Sequence, residues 1–566
     1  MIDFKGQVVK LIDQEVKSLD KEDIIHLIET PPSYDMGDYA FPAFRLAKEL
    51  KTAPNIIAEK LADKFADSEY FEKVENKGPY INFFINKGKL IETVLEETLN
   101  KREKFGATNI GQDRTVIVEF SSPNIAKPFH IGHIRSTVIG NSLYQIYKFL
   151  GFDTVAINHL GDYGTQFGML ITAYKMWGDR EIIELDPIPE LLKLYVRFNK
   201  EAEEDEDLRD KARYWFKELE NKNEEALELW RWIRDISLKD FNRVYKMLGV
   251  EFDSYTGESF YSDKMSRVLK EMDDKDILKE SQGAKIVDLE DHGMPPALIM
   301  KKDGSTLYTT RDITAAIYRK EHYDFYKNIY VVASQQNLHF KSWIKIVELM
   351  GYDWAKDCIH VPFGMVSLED GTLSTRKGRV VFLEDLLSRA IERTREIIEE
   401  RNPDLEDKDQ VAEQIGIGAV VFQELFNQRI KDYTFTFDRT LSFEGETGPY
   451  VQYTHARTHS LLEKGSFNIE DKVDYSLLRA EEEIDIIRLL YNFKHIVLDA
   501  CEKNEPYFIT RHLVEIAKAF NKYYNNTQIL VESEELKKAR LLLVYASKNV
   551  LNTGLGLLGI KAPKKM

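Results

Sequence analysis

The stretch Thr115–Asn158, TVIVEFSSPNIAKPFHIGHIRSTVIGNSLYQIYKFLGFDTVAIN, decides the fold. Thr115–Phe120 is an apolar run of strand length. A loop with Pro123 and Pro128 follows. Ile134, Val138, Ile139, Leu143, Ile146 and Leu150 then recur at helical spacing, and Gly151 is placed to end that helix. Thr154–Asn158 is a second short apolar strand. Strand, loop, helix, strand is a βαβ unit, the start of a nucleotide-binding parallel sheet.

Downstream, Ile329–Ala333 and Ile359–Val366 resume the sheet, and Asp370-Gly371 marks a turn between extended runs. Residues 178–290 interrupt the alternation and read as a helical insertion. Their acidic run Glu201–Asp210 reads as a solvated helix face, and Trp215, Trp230 and Trp232 as core or interface. Upstream, residues 1–28, Ala43–Leu50 and Asn55–Phe65 have helical spacing, Pro31-Pro32 breaks it, and Tyr80–Asn86 alternates like a strand. From about residue 390 the pattern is helical. The predicted class is α/β: a small α/β domain over 1–110, a Rossmann-type domain over 111–440 carrying the 178–290 insertion, and an all-α domain over 441–566.

At 566 residues the chain is too long for one ordinary domain. A net charge of −17 argues against a protein that coats nucleic acid indiscriminately, but leaves room for a local basic face. Residues 537–566 supply one, with Lys537, Lys538, Arg540, Lys548, Lys561, Lys564 and Lys565 and no acid. Two cysteines, Cys358 and Cys501, cannot build a disulfide framework or a thiolate zinc site. No apolar run approaches the roughly 18 residues of a membrane span, and Met1–Lys5 lacks a signal-peptide core. These features predict a cytoplasmic multidomain enzyme.

Two motifs carry chemistry. His130-Ile131-Gly132-His133 opens the first helix after the first strand, and such a pattern is rare by chance with 12 His and 30 Gly in the chain. A helix N-terminus offers free N–H groups and a positive dipole end, which suit phosphate. Gly132 lets a nucleotide approach the backbone, and two imidazoles three residues apart can face one ligand. The second motif is Leu373–Gly378 (LSTRKG), on a loop just after a strand. Its cations can close over a triphosphate and stabilise departing pyrophosphate.

The pair, in this order, resembles the signature of class I aminoacyl-tRNA synthetases. The longer strings Glu119–His133 (EFSSPNIAKPFHIGH), Gly161–Gly168 (GDYGTQFG), Tyr308–Asp312 (YTTRD), Gln336–Phe340 (QNLHF), Gly448–Arg457 (GPYVQYTHAR) and Leu557–Met566 (LLGIKAPKKM) resemble the arginyl-tRNA synthetase family over essentially the whole chain. The resemblance implies ligation of L-arginine to its tRNA through an arginyl-adenylate. It also implies an N-terminal domain touching the tRNA elbow, a Rossmann catalytic domain and a helical anticodon-binding domain. ATP with Mg²⁺ is the implied substrate complex, with no zinc or tightly bound cofactor. Cognate tRNA, arginine and ATP are the implied partners, with no membrane. The absence of an obvious dimerising repeat favours a monomer. The competing reading is a catalytically inactive tRNA-binding paralogue.

The family's sites transfer residue by residue. His130, Gly132, His133 and Ser374 match ATP contacts. Lys127, His130, His133, Arg376 and Lys377 match the groups that stabilise phosphoryl charge. Thr372 and Thr375 stand where the usual loop has lysines, so the resemblance gives Lys127 the missing phosphate contact. Glu119, Ser122, Asn124 and Gln336 match positions near the substrate's amino and carboxylate groups, and Glu258, Tyr308 and Asp312 match the guanidinium site. Chemistry supports that last set: a planar, permanently charged fork needs a carboxylate and a flat wall. Tyr308 and Asp312, four apart, share a face if helical. Tyr450 and Tyr453 match anticodon-loop contacts, and Tyr80 and Asn82 elbow contacts.

Overall fold

The computed structural model describes residues 1–16, 19–302, 304, 307–368 and 382–566. The chain folds into two compact units, each assembled from separated segments.

One unit comprises Met1–Gly106, Arg457–Lys494 and Glu515–Thr553. It holds an antiparallel sheet in the order β1 (Tyr39–Pro42), β3 (Tyr80–Ile85), β2 (Phe71–Lys77). The central strand, β3, buries Ile81, Phe83 and Ile85. Helix Pro54–Phe65 packs over the sheet with Ile57, Ala58, Leu61, Ala62 and Phe65, and a proline begins its first turn. Several cations of the basic stretch have local partners here. Lys537 pairs with Glu534, Lys538 with Asp471 and Arg540 with the buried Glu483.

The other unit comprises Ala107–Ala456, His495–Val514 and Gly554–Met566. Its centre is a four-stranded parallel sheet. In chain order the strands are β4 (Thr115–Glu119), β5 (Asp153–Ile157), β9 (Lys327–Ala333) and β10 (Cys358–Phe363), and in space they run β10-β9-β4-β5. Val116, Ile117 and Val118 are fully buried, as expected of a strand covered on both faces. Helix α1 (Ile134–Phe149) joins β4 to β5, and the chain returns to β4's other side as β9. The order therefore reverses at β4, and open α/β sheets bind ligands beyond the carboxyl ends of the strands at such a point.

Between β5 and β9 lie α2 (Thr165–Trp177), α3 (Glu224–Leu248) and α4 (Glu258–Tyr261), with further helices between α2 and α3. Glu201–Asp210 is mostly exposed, as expected. Trp230 donates to the Asp162 carbonyl at 2.8 Å and Trp232 to Glu184 at 2.9 Å, so both are structural. The antiparallel strands β6 (Lys279–Ser281), β7 (Ala284–Val287) and β8 (Ala297–Met300) then extend past residue 290. Helices α5 (Tyr308–Tyr323) and α6 (Asn337–Leu349) flank β9. The short β11 (Val366–Leu368) pairs in parallel with β12 (Tyr433–Phe435), a strand inside the region that reads as helical. Helices α7 (Lys408–Phe426) and α8 (Gly448–Lys464) follow the expected pattern. Among the described residues no helix is long and apolar enough to cross a membrane.

Candidate active site

The loop leaving β4 is built to hold one shape. Ser121, Ser122 and Ala126 have φ of +69°, +48° and +60°, a left-handed conformation that costs a side-chain-bearing residue about 1–2 kcal/mol. Buried hydrogen bonds hold it there. Ser121 N donates to Ser136 Oγ at 2.9 Å, Ser121 Oγ meets the Tyr245 hydroxyl at 2.8 Å, and Ala126 N donates to Ser237 Oγ at 3.2 Å. Gly161 N donates to the Pro123 carbonyl, and a Cβ at Gly161 would lie 1.9 Å from Asn124 Oδ1, so a side chain there would displace Asn124.

Ile131–His133 form a 3₁₀ turn that leads into α1. Gly132 N donates to His130 Nδ1 at 3.0 Å and His130 N to His133 Nδ1 at 3.2 Å. A Cβ on Gly132 would sit 2.8 Å from the His130 ring. With Nδ1 accepting a backbone N–H, each neutral ring carries its proton on Nε2. His133 Nδ1 also lies 3.3 Å from the His130 carbonyl, but donating there would leave the His130 N–H without this acceptor. Burial lowers the His130 pKa, and burial with the neighbouring His130 and Lys127 pushes that of His133 down to about 3. The rings, 4.1 Å apart between centroids, are thus neutral Nε2–H donors at physiological pH. Lys127 is half-buried beside them, its N–H on the Asn124 carbonyl.

The other predicted residues ring the ends of β4, β5 and β9. Glu119 ends β4 and already has a partner: its Oε2 is 2.6 Å from the fully buried Arg319 of α5, which approaches His159 at 3.4 Å. Ser122 and Asn124 lie on the strained loop, and Gln336 is exposed on the turn after β9. Tyr308 and Asp312 lie four apart in α5, as the spacing predicts; Tyr308 is 64% exposed and Asp312 meets His339 Nε2 at 2.5 Å. Glu258 is carried by α4, which the buried Asp162 fixes by accepting Ser259 N at 2.8 Å and Ser259 Oγ at 2.7 Å. Arg311 NH1 donates to Glu258 Oε2 at 2.7 Å. Burial raises the Glu258 pKa and Arg311 opposes it.

Sequence reasoning missed Arg311, His339, Asp162 and Arg319. Arg311 has the one available signal, lying three residues from Tyr308 on the α5 face that reaches Glu258. Ser374, Arg376 and Lys377, like the Asp370-Gly371 turn, lie outside the described residues. Tyr450 is half-buried and Tyr453 40% exposed on α8. In the other unit, Tyr80 is half-buried, edge-on to the exposed Phe44, whereas Asn82 is only 4% exposed and its Oδ1 has no partner among the described residues. Among the described residues no group of three or more His, Cys, Asp or Glu is arranged for a metal.

A parallel sheet whose switch point carries His-x-Gly-His at a helix N-terminus is the arrangement of the class I aminoacyl-tRNA synthetases. Family models agree. Residues 94–437 match "tRNA synthetases class I (R), catalytic domain", 451–566 match "DALR anticodon binding domain", and 6–85 match "Arginyl tRNA synthetase N terminal domain". The chain is 64% identical to the arginine–tRNA ligase of Halothermothrix orenii and 59% identical to that of Clostridioides difficile, covering all of both chains in each case. It is similar to the solved arginyl-tRNA synthetase of Plasmodium falciparum, at a TM-score of 0.83, 25% identity and full coverage of both chains. With that of Thermus thermophilus the TM-score is 0.79 at 25% identity, covering 100% of this chain and 99% of the other. The chain belongs to the arginine–tRNA ligase family.

Proposed function

We propose that the chain ligates L-arginine to its cognate tRNA, consuming ATP and releasing AMP and pyrophosphate. Family membership supports the reaction, and the neutral His130–His133 pair at the switch point is the observation that carries its placement. The arginine carboxylate is already ionised, so activation needs no general base. A carboxylate oxygen attacks the α-phosphorus and pyrophosphate departs. Phosphoryl charge is met by the Nε2–H groups of His130 and His133, by Lys127 and by the N-terminus of α1, with Mg²⁺ arriving as part of the ATP complex. A ribose hydroxyl of the terminal adenosine, the 2′-OH by family resemblance, then attacks the adenylate carbonyl and AMP leaves. Ser374, Arg376 and Lys377 act on the ATP phosphates in this scheme.

Glu119, Ser122, Asn124 and Gln336 orient the substrate's amino and carboxylate groups. Glu258, Tyr308 and Asp312 take its guanidinium. Tyr450 and Tyr453 contact the anticodon loop and Tyr80 the elbow; Asn82, 4% exposed, would have to become accessible to do so. The working division is 1–110 for the elbow, 111–440 for catalysis and 441–566 for the anticodon, in a cytoplasmic monomer.

Aminoacylation of total tRNA with each of the twenty amino acids tests the reading, and charging by arginine alone is expected. The inactive-paralogue alternative predicts no charging and no ATP–pyrophosphate exchange under any condition. The intact histidines and guanidinium-site residues favour the enzyme.

A further inference from the structure

The guanidinium pocket already contains a guanidinium. Arg311 donates a single hydrogen bond, NH1 to Glu258 Oε2 at 2.7 Å, with both side chains largely buried. Its Cζ lies 5.1 Å from the Tyr308 ring centroid and 5.4 Å from that of Tyr163, and its buried Nε has no partner among the described residues. The contact is one-point, so it uses one carboxylate oxygen where a bidentate pair would use both. We infer that Arg311 is a positioning residue for substrate selection: it anchors Glu258 by Oε2, keeping the carboxylate charged and aimed so that Oε1 meets the incoming guanidinium.

Charge count supports this. Glu258 and Asp312 with Arg311 leave a net charge of −1, matched to one arginine side chain. Without Arg311, Glu258 would face Asp312 and Asp162 with no guanidinium against it, which favours its protonated form. The other groups facing Glu258 are His159 and Asp162, from beyond β5, and Asp312 from α5. Arg234 balances Asp162, and His339 of α6 faces Asp312. Burial already pushes Glu258 toward protonation, and Arg311 is the strongest opposing charge.

The inference rests on the assignment of Glu258 to the substrate. The test is calorimetric binding of L-arginine and, separately, ATP to the full chain, from about pH 6 to about pH 8.5, for wild type, Arg311→Gln, Arg311→Lys and Glu258→Gln. Arg311→Gln should weaken arginine about tenfold near neutrality, and its ratio to wild type should grow as pH falls, because Glu258 then takes up a proton. Arg311→Lys keeps the charge, so its ratio to wild type should stay flat with pH; it also carries the test if Arg311→Gln does not fold. ATP affinity should hold throughout. An Arg311→Gln loss equal at every pH would make Arg311 a packing residue, and tighter binding would make it a competitor of the substrate; either overturns the inference. Normal arginine binding by Glu258→Gln would remove the assignment beneath it. Weak binding by Glu258→Gln with normal binding by Arg311→Gln would sink the inference alone.

Discussion

Asp312 meets His339, so if it takes the guanidinium the substrate finds a carboxylate already oriented. Asp312→Asn keeps the shape and removes the charge, and its amide presents donors to a guanidinium that has only donors. Arginine affinity should fall roughly 10- to 150-fold, the loss of one hydrogen bond to a charged group, while ATP affinity stays near wild type. Equilibrium titrations of both ligands check this, and unchanged arginine affinity in a folded variant would return Asp312 to the helix surface. Lys127, on the loop that leaves β4, has a different task. If it meets charge that develops on phosphate, Lys127→Ala should cut the activation rate by about 10²–10³ and leave arginine binding alone. Single-turnover adenylate formation measures it, and near-normal turnover would pass the role to Lys377.

Elements are held together by buried charge. Arg135 of α1 is fully buried and donates to the carbonyls of Gly364 at 2.9 Å and Lys431 at 2.8 Å, at the roots of β11 and β12. It lies 3.4 Å from Glu424 of α7, which also accepts the Tyr433 hydroxyl. Burial pushes the Glu424 carboxyl up to about 7 against the pull of Arg135 and Tyr433. The folded state therefore holds that proton more tightly than the unfolded one. Its contribution to stability is complete below the ordinary carboxylate range and is lost as pH rises through about 7. Glu424→Gln should flatten that part of the slope, so urea melts near pH 5 and near pH 8 should differ less for the variant than for wild type. The pieces of this network come from helices that are plain in the sequence, but their meeting is not. The β4–α1–β5 unit is legible because its apolar strands and helix face are local patterns. Strand β2 (FEKVENK) hides because an edge strand carries charges, and β1 because it is four residues ending in proline. The site divides in the same way. His130, Gly132 and His133 are contiguous, whereas Glu258 finds Arg311 53 residues away and Asp312 finds His339 27 away, distances at which no periodicity speaks.

For the whole molecule, the threonines at 372 and 375 predict that arginine activation waits for tRNA: pyrophosphate exchange with arginine and ATP alone should be slow or absent, and cognate tRNA should restore it. Robust exchange without tRNA would end that idea. Tyr450→Ala should raise the Michaelis constant for tRNA by the roughly 1–3 kcal/mol of a lost base stack, with arginine binding intact. Unfolding of the variant would instead make Tyr450 a core residue. The division of the chain has a further consequence for its birth on the ribosome. Domains ordinarily fold in turn as they emerge, N-terminal first. Here neither unit is one continuous stretch of chain. One includes residues up to Thr553, and the other Gly554–Met566, whose backbone carbonyls at Leu557, Lys561 and Pro563 receive Ser142, Gln452 and His455. A nascent chain that has reached only residue 553 thus carries His130, His133, Glu258 and Asp312 but lacks the carbonyls that Ser142, Gln452 and His455 meet in the finished unit.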